Sequence, residues 1–99
     1  MFSLVAIVRS SASSQELRDL AARLRENEHV GFGPGQLLVT LPTVGTVVMT
    51  ESRTLIEIDL VVENEDAAAR ACAALVREIG DAPVALTWLR DETLSARLR

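Results

Sequence analysis

Ninety-nine residues can bury one hydrophobic core and not two, so the chain reads as a single domain. With 48% hydrophobic residues it is not a disordered chain, and a net charge of −4 with a pI near 4.9 lacks the basic footprint of a nucleic-acid binder. The single cysteine, Cys72, excludes an internal disulfide and a cysteine metal cluster.

In chain order, residues 2–9 read as a first strand, apolar on both sides and therefore suited to a central position. The run Leu4 to Val8 has no basic region before it and is too short for a signal or membrane segment, which predicts a cytoplasmic protein with no membrane partner. Ser10, Ser11, Ser13 and Ser14 form a short loop, in which Ser13 and Glu16 have the spacing of a capping box. A first helix is predicted over residues 14–27, with Leu17, Leu20, Ala21 and Leu24 as its buried stripe. Arg18, Arg23 and Arg25 lie outside it, and Asp19 and Arg23 are spaced as a surface pair. His29 falls at the end of that helix, where an imidazolium would complement the dipole.

The run Gly31-Phe32-Gly33-Pro34-Gly35 predicts a loop. Its spacing is that of neither a dinucleotide fingerprint nor a P-loop, and it follows a helix where phosphate cradles precede one. Residues 36–50 form one bent strand or two short ones, interrupted at Pro42 and Gly45, before a turn at Glu51-Ser52-Arg53. The next strand alternates Thr54, Ile56, Ile58, Leu60 and Val62, all facing a core, with Leu55, Glu57, Asp59, Val61 and Glu63 on the other side. Asn64 caps a helix over 65–79, Glu65 and Asp66 sit at its positive end, and Gly80 stops it. Its predicted stripe is Ala68, Ala71, Cys72, Leu75, Val76 and Ile79, which makes Cys72 a buried core thiol, slow to react. Residues 83–90 read as the last strand, with Val84, Leu86 and Trp88 on one side, and residues 91–99 as a charged tail.

This order, β-α-β-β-α-β with or without one extra short strand, resembles the ferredoxin-like fold: two helices on one face of an antiparallel sheet ordered 4-1-3-2. Two kinds of small domain share that arrangement. Amino-acid-sensing ACT-like modules carry an Asp-x-x-Gly type loop where this chain has Ser10-Ser11-Ala12-Ser13. Dimeric α+β barrels include cofactor-free monooxygenases and isomerases, which use pocket residues of the types offered here by His29, Trp88 and Asn64.

The candidate site residues follow from the pattern. Glu57 and Asp59, roughly 7 Å apart on one strand face, can share a proton, hold a metal or pair with arginines on a partner. Trp88 is either a core residue or an aromatic wall on the open face. Leu55 and Val61, with Val5 and Ile7 or their alternates, make the helix-free face apolar, and Arg9 can pair with the acids there. One histidine, no tyrosine and no lysine give acid–base chemistry few groups. The expected function is a non-catalytic ligand-binding or interaction module that dimerises through this face, with no metal and no cofactor. The alternatives are a cofactor-free enzyme of the α+β barrel kind and an acidic partner for a basic enzyme.

Overall fold

Six strands and two helices follow one another as β1 (Phe2–Ser10), α1 (Ser14–Leu24), β2 (His29–Gly33), β3 (Gln36–Leu41), β4 (Gly45–Glu51), β5 (Ile56–Val62), α2 (Glu65–Ile79) and β6 (Val84–Asp91). The computed structural model describes residues 2–10, 14–80, 82 and 84–91. The strands form one antiparallel sheet in the order β2-β3-β4-β5-β1-β6, so the fold is α+β. β1 and β5 are paired on both sides, as are β3 and β4.

Alternation fixes which side of the sheet is dry. Phe2, Leu4, Ala6 and Val8 of β1 face the same core as Ile56, Ile58, Leu60 and Val62 of β5 and Val47 and Met49 of β4. Leu17, Leu20, Ala21 and Leu24 of α1 and Ala68, Ala71, Leu75 and Ile79 of α2 enter that one cluster, so both helices cover the same face. α2 is closed by local chemistry at each end. Asn64 Oδ1 accepts from Ala67 N at 2.8 Å, and Gly80, at φ 62°, returns its N–H to Val76 O. Arg23 of α1 donates to the last α2 carbonyls, Glu78 O and Ile79 O, tying the helices together.

The four-strand ferredoxin-like order is not matched. The glycine run is not a loop: Val30 pairs with Leu38 and Gly31 with Leu37, and a bulge between Gly31 and Gly33 absorbs the irregularity before the turn. Pro34 followed by Gly35 at φ 71° fits a type II turn. Residues 36–50 are two strands, reversed at Pro42-Thr43-Val44, where Val44 N reaches Leu41 O at 3.3 Å and Gly45 takes φ 102°. The predicted strand at 54–63 starts later, because Ser52 and Leu55 close a turn through Ser52 N to Leu55 O at 3.0 Å and Leu55 N to Ser52 Oγ at 3.2 Å.

The first helix ends at Leu24 rather than at 27. Glu26 and Asn27 switch to i−3 carbonyls, and Asn27 Nδ2 covers Leu24 O at 3.0 Å, which frees the chain to enter β2. His29 accordingly opens a strand and caps no helix. The stripe of α2 runs through Ala74, while Val76 is exposed and Cys72 is half-buried, its thiol pKa raised by burial. The tail expected over residues 91–99 begins one residue later, since Asp91 ends β6; residues 92–99, and Ser13 of the capping box, lie outside the described residues.

Candidate functional site

The helix-free side of the sheet is the first unusual surface. Cross-strand register places Val30 beside Leu38, Leu38 beside Val48, Val48 beside Asp59, Asp59 beside Val5 and Val5 beside Leu89. One row thus crosses all six strands with a single carboxylate in it. Val30, Leu38 and Leu89 are 62%, 41% and 52% exposed, and Val61, one row over and opposite Ser3, is 56% exposed. The neighbouring row runs Gln36, Thr50, Glu57, Ile7, Thr87.

Asp59 and Glu57 lie two residues apart on β5 and share this face. Burial between Val48 and Val5 disfavours the ionised Asp59 most, the neighbouring Glu57 carboxyl adds to this, and the pKa rises from 3.8 to about 6. Of the three roles that the spacing allowed, a shared proton fits best. Arg9 is exposed on the same face opposite Ala85, two residues along β1 from Ile7.

The remaining candidates disperse. Trp88 lies opposite the buried Ala6 and packs against the core, so it is no wall of the open face. Leu55 is half-buried in the β4–β5 turn. His29 Nδ1 is 2.9 Å from Asn27 O; a carbonyl only accepts, so the proton is on Nδ1. His29 is exposed and far from forming a cluster with Trp88 and Asn64, which lie on other elements. Among the described residues, no group of three or more His, Cys, Asp or Glu is placed to hold a metal, and no helix is long and apolar enough to cross a membrane.

The second surface is a cavity of about 670 Å³ on the helix side, between α1, the β2–β3 hairpin and the β4–β5 turn. Leu17 of α1, Leu37 of β3 and Met49 of β4 give it an apolar floor. Gly31, Gly33 and Gly35 give one wall without side chains. Arg18 and Arg25 come from α1 and the turn after it, and Arg53 from the β4–β5 turn. Glu51 is the one acid among the described lining residues. Arg25 is ion-paired to Glu51, while Arg18 donates to the neutral Gln15 Oε1 at 2.9 Å. Sequence reading missed this site because each arginine taken alone is an ordinary solvated residue. The available signal was the glycine run, which strips side chains from a strand facing a helix.

Comparison with protein-family models, with curated proteins and with solved structures finds no match to this chain.

Proposed function

We propose that this chain is a non-catalytic interaction module that pairs with a second copy of itself through the helix-free face of its sheet. The observation behind this reading is the apolar row Val30, Leu38, Val48, Val5 and Leu89, interrupted by Asp59 alone. Antiparallel sheets that face water on one side alternate apolar with polar residues, and this one departs from that rule along a whole row. In this reading β4, β5, β1 and β6 with the two helices carry a ferredoxin-like arrangement, which β2 and β3 extend at one edge. Six strands at about 4.8 Å spacing and three outward rows make a patch of roughly 25 Å by 20 Å. Its projected area is then about 500 Å² per partner, so a pair would bury the ~1,000 Å² in total that a specific interface needs. A two-fold contact would let Arg9 of each copy approach the other's acids, so each such pair would occur twice.

The test is the solution mass at micromolar concentration. The expected result is a dimer, converted to monomer by Leu38→Asp or Val61→Asp with the circular dichroism spectrum unchanged, since both side chains are exposed in the single chain. A monomer at every concentration up to about 100 µM, well above the Kd of a specific dimer, ends the reading.

A further inference from the structure

We infer that the cavity between α1 and the β2–β3 hairpin is a binding site for a small organic acid, its apolar body on Leu17, Leu37 and Met49 and its carboxylate between Arg18 and Arg53. This goes beyond self-association and stands whether or not the chain dimerises. The volume of about 670 Å³ lies within the range of small-molecule sites. Its chemistry is divided: the floor is apolar and the rim cationic, which suits an amphipathic anion better than a bare one.

The charge at the rim is not balanced from within. Glu51 engages Arg25, and among the described lining residues no second acid faces Arg18 and Arg53. Two planar guanidiniums at a cavity mouth fit the two oxygens of a carboxylate. A whole chain carrying −4 repels anions at long range, so capture of one here rests on this local excess of positive charge.

The bare wall is enforced at Gly35, which combines φ +71° with a Cβ only 3.1 Å from the backbone Glu51 O; at Gly33 a Cβ would meet only the movable end of Gln36, Oε1 at 3.2 Å. Gly31 is different. A Cβ there has ordinary contact with Leu37 Cδ2 at 3.7 Å, so a side chain can be added without moving the backbone. Gly31→Val therefore fills the site while suiting the strand.

The experiment titrates the full chain calorimetrically with octanoate and 3-phenylpropionate, and with 1-octanol and inorganic phosphate as body-only and charge-only probes. Either acid is expected to bind at least tenfold more tightly than both controls. The Arg18→Ala/Arg53→Ala double variant, altered only at exposed residues, is expected to weaken the acid about tenfold or more with its melting temperature kept. Gly31→Val should also weaken it tenfold, and Glu51→Gln, which releases Arg25, should tighten it several-fold. The proposal is overturned if neither acid binds at concentrations up to about 10 mM, if phosphate binds more tightly than both, or if the double arginine variant binds the acid as the wild type does.

Discussion

The carboxylate of Asp59 sits where the sheet offers it little water. Val5 flanks it from β1 and Val48 from β4, and Glu57 is its neighbour along β5; Arg9, further along β1, is the nearby cation on that face. Because the folded pKa of about 6 exceeds the ordinary 3.8, the folded chain holds a proton that the unfolded chain has lost between those values. The contribution of Asp59 to stability is therefore full below pH 3.8 and declines as pH rises to about 6, after which it is constant. Asp59→Asn is expected to melt a few degrees higher than the wild type at pH 8 and equally at pH 4. Thermal melts at half-unit pH steps check this. A wild-type and variant difference independent of pH would place the proton elsewhere. The spacing of Glu57 and Asp59 was legible in the sequence. The valines flanking Asp59 were not, since Val5 comes from some fifty positions away and Val48 reaches it only once the β4–β5 register is set. The cavity arginines were illegible for the same reason: three segments must meet before they form a site.

Among the elements, α2 was the most legible because its signals are local. Asn64, the alanine-rich stripe and Gly80 lie within one stretch and need no partner to be read. The β2–β3 hairpin was the least legible. Glycine has no strand preference of its own, so residues 31–33 become a strand only because β3 supplies a ladder. Part of that hairpin is nevertheless demanding. Gly35 holds φ +71° while its carbonyl accepts from Glu51 N at 2.9 Å, which joins the β2–β3 turn to the end of β4. Gly35→Ala puts a Cβ against Glu51 O in the left-handed region and is expected to cost about 1–2 kcal/mol. Denaturant melts should show a lower midpoint with an unchanged slope. Gly31→Ala, with no such constraint, should be neutral or better.

For the molecule as a whole, the pattern of apolar residues was enough to read an antiparallel sheet with two helices on one face, and β1 and β5 inside it. The count of strands was not legible, because Pro42 and the glycine run look alike as interruptions until pairing decides between turn and bulge. The interior place of β1 has a consequence in time. This strand, Phe2–Ser10, is made before either of its neighbours; Ile56–Val62 arrives after three other strands and a helix, and Val84–Asp91 after four other strands and two helices. An apolar ribbon with two bare edges must then wait for partners that lie far down the chain. Closing such distant pairs is slow, so refolding from denaturant is expected in the range of roughly milliseconds to seconds, with the same rate reported by the β6 Trp88 fluorescence and by the far-ultraviolet signal. A nascent chain halted after Gly80 would have β1 with one edge unpaired, and its fate is to be held by a chaperone or to aggregate.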